Sequence, residues 1–326
     1  MTGSKPATAK SIAWPTSRLK KTGGFSLIEL LVVLAVFSVV TGMIYSVYSG
    51  FIRNAVLERK VAKTELDLAS TFWPLTKEIG SAGFGLAKSG TGACVLAQAI
   101  AISGSELTIH STASGDDALS GTWGYVSGGC ATGITYDPAQ PNVVLINNLD
   151  KSLVASVQIG TGGVITGVCD TDYRDTFAYW IPYQSGGDLQ CYETKYSLRA
   201  YDAGTKPAMC AAGAQKLSRS VSRTTTTNYE PMLDCMQALH YRFGCINASG
   251  ALTWQTGSSC GTSKLKLIKV GMIIQSSTRT STQTGPSMTL FEDLGSSLVQ
   301  TVSLTAEQRN YRWKKRELLI SLRNLE

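Results

Sequence analysis

Lys21-Thr22-Gly23-Gly24-Phe25-Ser26-Leu27-Ile28-Glu29-Leu30 opens the stretch that decides how the chain is organised. From Leu30 to Ile52 no charged residue occurs. That is enough for about 34 Å of helix, and therefore for one bilayer crossing. Glu29 stands at the head of this run. A carboxylate in hydrocarbon costs a helix roughly 2.5–3.5 kcal/mol on insertion scales, so it needs a reason to be there. Either it reaches headgroups and water at the membrane edge, or it awaits a cation from another chain.

The residues before the run are basic: Arg18-Leu19-Lys20-Lys21. By the positive-inside rule such a flank stays in the cytoplasm, which sends everything after Ile52 across the membrane. A secretory signal places its small residues after the apolar core, where it is cut. Here Gly23 and Gly24 come first. Cleavage after Gly24 would remove the basic leader, leave the apolar helix attached, and make Phe25 the new amino terminus.

In these residues the chain resembles the type IV prepilins and the pseudopilins of type II secretion. The resemblance implies cleavage between Gly24 and Phe25 by a membrane prepilin peptidase, followed by N-methylation of Phe25. It also implies a filament in which Glu29 lies beside the amine of a neighbouring Phe25, so that neither charge is unpaired in a low-dielectric bundle. The leader of 24 residues is long, as in class IVb prepilins; a start at Leu19 would shorten it. Four further segments are most similar to a PilW-type minor pilin: Leu75–Gly85, Glu106–Ile109, Val270–Ser277 and Leu318–Leu325. That subfamily implies a low-copy subunit at or near the pilus tip that helps to initiate assembly with other minor pilins and the major pilin. The alternatives are a surface-binding tip subunit for adhesion or DNA capture, with residues 112–263 as the binding region, and a J-type pseudopilin. Localisation follows: the bacterial inner membrane, single-pass, with the head in the periplasm, then the cell surface.

Beyond Ile52, Leu57, Val61, Leu68, Phe72, Leu75 and Ile79 recur at three-to-four spacing. Charged residues fall between them, among them Glu58, Glu65, Lys77 and Glu78, which predicts a helix with one apolar stripe. Pro74 should kink or break it, and Gly80-Ser81-Ala82-Gly83-Phe84-Gly85 should end it. From Leu86 on, short β-prone runs are separated by turn residues without long helices between them, which favours antiparallel pairing. The strand candidates are 106–111, 142–147, 154–159, 176–183, 192–201, 264–275, 298–304 and 317–322. Residues 232–240 read equally as helix or strand, and 276–287 as a loop. The expected fold class is α+β. A leader (1–24) precedes a membrane helix (25–52), an amphipathic continuation (53–82) and a disulfide-stapled β-rich head (83–326).

The formal charge of +7 misleads, because the leader holds five cations and no acid, leaving 25 basic against 23 acidic residues. No specific nucleic-acid partner is implied. The basic cluster from Arg309 to Arg323 alternates with apolar residues, as a solvated strand face would. The eight cysteines, Cys94, Cys130, Cys169, Cys191, Cys210, Cys235, Cys245 and Cys260, all follow the apolar run. On the oxidising side of the membrane they are disulfide candidates, with 105 possible pairings. Sequence neighbours Cys94–Cys130, Cys169–Cys191 and Cys245–Cys260 come first. Close Cys-x-x-Cys pairs for zinc and Cys-x-x-Cys-His for haem are absent, so neither metal nor cofactor is expected. With two histidines, His110 and His240, and no nucleophile elbow or phosphate loop, no enzyme is expected either. The acidic run 170–175 reads as a solvated turn before a calcium site, 160–163 as a hairpin turn, and Asn247-Ala248-Ser249 as a short glycosylation sequon. Trp123, Trp180, Trp254 and Trp313 read as core or interface.

Overall fold

The computed structural model describes residues 26–89, 94–113, 123–127, 130–131, 142–158, 176–181, 183–185, 188–222, 228–279 and 283–325. The first element is one helix, α1 (Leu27–Gly80). The strands that follow are β1 (Ile100–Ser103), β2 (Glu106–Ser111), β3 (Trp123–Ser127), β4 (Cys130–Ala131), β5 (Asn142–Asn147), β6 (Leu153–Gln158), β7 (Thr176–Ile181), β8 (Tyr183–Ser185) and β9 (Asp188–Gln190). The series continues with β10 (Tyr192–Arg199), β11 (Gln215–Ser222), β12 (Glu230–Ile246), β13 (Leu252–Gln255), β14 (Lys264–Arg279), β15 (Ser287–Leu290), β16 (Gln300–Ser303) and β17 (Tyr311–Ser321). All named pairings are antiparallel. The fold is α+β, as the sequence predicts.

The chain divides into two units, Met1–Val56 and Leu57–Glu326. The second is built on an eight-stranded sheet in the order β1-β2-β10-β11-β12-β14-β17, with β13 on β12. Alternation along β14 explains why this sheet has two cores. Ile268, Val270, Met272 and Ile274 face Leu68, Leu75 and Ile79 of the helix, all in one buried cluster. Ile273 points the other way, into a cluster with Leu290, Phe291, Leu304 and Trp313. Gly271 lies on that second face because Phe291 comes too close for a side chain: a Cβ there would sit 2.6 Å from the ring. A separate five-stranded sheet runs β4-β3-β7-β5-β6. Its Val144 and Ile146 pack with Leu86, Ala87 and Cys191.

Several expectations need correction. Of the kink or break expected at Pro74, the break does not occur, since α1 continues through it; Leu75 and Ile79, buried beyond it, hold the last turns against the sheet. Glu78 is not on the solvent side of the helix but 4% exposed. Residues 232–240 are strand, inside β12. β14 runs on through Arg279 into the expected 276–287 loop, and β17 begins at Tyr311 rather than near 317. The glycine run ends the helix as expected. Gly83 and Gly85 have φ of +78° and +69°, and a Cβ on Gly85 would collide with the Thr112 side chain. The candidate turns at 160–163 and 170–175 lie outside the described residues.

The contact at Gly271 makes a direct prediction. Gly271→Ala should destabilise the protein by about 1–3 kcal/mol, the usual range for overpacking a filled core. Urea unfolding followed by circular dichroism measures it, and Phe291→Leu in the same chain should recover part of the loss.

Candidate functional site

The amino-terminal part of α1 is apolar and exposed. Every large apolar side chain from Leu27 (77% exposed) to Ile52 stands free. Left in water, these side chains would forgo stabilisation on the order of tens of kcal/mol. The helix is long and apolar enough to cross a membrane. Two of its hydroxyls bond back to the helix: Ser38 donates to the Leu34 carbonyl at 2.8 Å and Ser49 to that of Ser46 at 3.0 Å. Such back-bonding is what an apolar solvent requires.

Gly24 and Phe25 lie outside the described residues. Glu29 is described, and it does something the sequence reading missed. Its carboxylate accepts from the Ser26 amide at 3.0 Å, while the Ser26 hydroxyl accepts from the Glu29 amide at 3.3 Å. This reciprocal pair is a capping box, and it satisfies two of the donors a helix start leaves unpaired. The signal was visible as Ser-x-x-Glu immediately before an apolar run. Glu29 thus starts the helix at the position where a cut after Gly24 would leave it.

The other end of α1 is fixed by charge. Glu78 accepts from Arg219 through Nε at 3.0 Å and through Nη2, and also from the buried Tyr196 hydroxyl. Tyr196 and Arg219 are paired across β10 and β11, so two strands grip one helical carboxylate. Burial, followed by the charge of Glu78, pushes the Tyr196 hydroxyl far above its ordinary range. Thirteen residues earlier, Glu65 accepts from Lys314 and from Arg316 at 2.8 Å. Those hydrogen bonds, Lys314 first, hold its carboxyl below the usual range. Lys314 and Arg316 belong to the predicted basic strand, so that strand is not merely solvated: one of its faces holds the helix.

Among the described residues the disulfides are Cys94–Cys191, Cys210–Cys235 and Cys245–Cys260. Cys245–Cys260 is the expected neighbour pair. Cys94–Cys130 and Cys169–Cys191 are overturned, because Cys94 and Cys191 bond to each other; β10 pairs with β2 and so brings Cys191 beside the segment leading into β1. Cys169 lies outside the described residues.

His110 Nδ1 sits 2.7 Å from the Gln98 carbonyl, and Nε2 sits 3.4 Å from Glu193. Together with Lys195 at 2.7 Å, this ring lowers the Glu193 carboxyl to about 2, His110 being the larger cause. His240 is pushed down by burial and by Arg242. Trp313 is core, Trp254 is half-buried and Trp123 is exposed. No cluster of metal-ligating side chains occurs among the described residues. Asn247 stands at the exposed β12–β13 turn, where its Oδ1 accepts from the amides of Ser249 and Ala251.

The family model for the prokaryotic N-terminal methylation motif matches residues 19–45. The chain carries a prepilin-type methylation motif. That family is defined by a processing signal and not by a catalytic site. No curated protein matches. Among solved structures, a type IV-like pilin from Thermus thermophilus aligns at 10% identity, covering 80% of this chain and 97% of that one, with a TM-score of 0.38.

Two predictions follow from these contacts. Arg219→Met, which strands a buried carboxylate, should cost about 3–5 kcal/mol, and adding Glu78→Met should restore part of it; denaturant titration of the three variants measures this. Glu193 has a folded value below its ordinary 4.5, so its contribution is complete above that value and fades as pH falls toward 2. Thermal midpoints taken across that window should therefore fall less steeply in Glu193→Gln than in the parent.

Proposed function

We propose that this chain is a minor pilin of a type IV pilus. On this reading it is cut between Gly24 and Phe25, methylated on Phe25, and held in the inner membrane by the first part of α1, with its head in the periplasm. It then moves laterally into a filament. Its assigned place is at or near the tip, in low copy, where it helps to start assembly with other minor pilins and the major pilin. The observation that carries the reading is the methylation motif at 19–45, which runs into a helix whose large apolar side chains from Leu27 to Ile52 are exposed among the described residues.

A removable anchor would be cut after its apolar segment, but here the glycines precede it. Retention gives those side chains an apolar surrounding twice, first in lipid and then among like helices. Glu29 fits both stages. Before assembly its charge is partly met by the Ser26 amide; in a filament the methylated amine of a neighbouring Phe25 supplies a cation. The size of the head supports a terminal position, since bulk repeated along a shaft would crowd its neighbours.

Mass analysis of the membrane-extracted protein should find N-methylated Phe25 as its first residue; loss of the run from Leu27 to Ile52 would refute the assignment. Glu29→Gln separates the two uses of that carboxylate, because Gln still completes a capping box but carries no charge. Cleavage should remain normal while incorporation into sheared pili drops several-fold. Deleting the gene should abolish piliation; normal pili that merely fail to attach would point to a binding subunit instead.

A further inference from the structure

A cleft of about 440 Å³ opens at one end of the eight-stranded sheet, lined among others by Lys88, Leu96, Ser258, Ser263, Lys264 and Leu265. Its chemistry is one-sided: two lysines and three serines line it, Ser259 being the third, with no acidic residue among the described ones. Both lysines are exposed. Neither takes part in a salt bridge among the described residues; Asp150 feels Lys88 only through its charge, from outside the lining. Leu96, Ile100, Leu265 and Leu325 supply an apolar floor.

The walls are held in place by covalent bonds. Cys245–Cys260 ties the β13–β14 loop, which carries the serines, back to β12. Cys94–Cys191 ties the segment bearing Leu96 to the start of β10. Within the loop, Gln255 donates to the Ser259 carbonyl at 2.6 Å and the Ser263 amide to that of Cys260 at 3.0 Å. Gly261, with φ of +58°, makes the turn between them. A rigid apolar floor with a few converging polar groups is the ordinary build of a small-ligand site, and its size falls in that range.

We infer that this cleft binds a sugar bearing a carboxylate, as a free hexuronate or as a unit of an acidic polysaccharide. The ring's C–H face would rest on the leucine floor, its hydroxyls would meet the serines, and the acid would lie between Lys88 and Lys264. Charge complementarity selects this occupant over a neutral sugar, and the apolar floor selects it over a bare anion. The assignment is independent of the pilin reading, since it uses only head residues.

The test is calorimetric titration of the detergent-solubilised full chain with galacturonate, oligogalacturonate, galactose and inorganic phosphate. Galacturonate should bind, galactose and phosphate at least tenfold more weakly, and added salt should weaken the interaction. A further gain with the oligomer would identify the polymer as the source. Lys264→Ala and Lys88→Ala, both surface changes, should each reduce binding about tenfold, while the distant Lys206→Ala should not. Equal binding of galactose, equal binding of phosphate, or unchanged affinity in both lysine variants would each overturn the assignment.

Discussion

α1 needs two different solvents along its length, and the rest of the structure follows from that requirement. Up to Ile52 its large apolar side chains are uncovered, which in water would cost on the order of tens of kcal/mol. From Leu68 onward an apolar stripe of Leu68, Leu75 and Ile79 is buried on the sheet. A helix of this kind cannot be an ordinary core helix in its first part, nor a simple membrane span in its last. It has to be anchored in a head at one end and offered to lipid or to other helices at the other.

Anchoring of that sort places unusual demands on the head. A helix tied by apolar contacts alone can slide by a turn or rotate, because Leu and Ile faces are interchangeable over a few ångströms. The Glu78 contact with Arg219 and Tyr196 removes that freedom, since a carboxylate displaced by one residue would be buried without partners. Buried ion pairs contribute little net stability but penalise the wrong arrangement heavily. Glu65, met by Lys314 and Arg316 from β17 at the edge of the sheet, adds a second point more than three turns away. Two points fix a register where one would leave a pivot.

Legibility in the sequence tracked how simply each element repeats. The apolar run, the helix stripe and strands such as 106–111 and 142–147 were readable because one period holds throughout. β12 was not. Its register shifts near Cys235, which has φ of +56°, and again between Met236 and Ala238. Leu233, Met236 and Leu239 therefore reach one face at intervals of three, imitating a helix. β11 was missed for a different reason. Leu217, Arg219 and Val221 alternate with Ser218, Ser220 and Ser222, so no apolar face announces it, although Ser218 is wholly buried. Glu78 read as a surface charge because its partner lies 141 residues away. The disulfides failed similarly: loop proximity suggested Cys94–Cys130, whereas the separation of 97 residues between Cys94 and Cys191 is closed by strand pairing.

The candidate site divides along the same line. The methylation motif at 19–45 was legible because it is a linear pattern, and a linear pattern can be read without a fold. The capping partner Ser26 was equally legible, three residues before Glu29, as Ser-x-x-Glu ahead of an apolar run. The cationic cleft could not have been found this way. Lys88 and Lys264 are distant in sequence, and each reads as a routine surface lysine beside a turn. They line one space because the chain folds Lys88, bonded through its amide to the Lys151 carbonyl, and the first residue of β14 to the same cleft. A head built on long-range pairings hides which of its side chains share one space, while an uninterrupted apolar run does not.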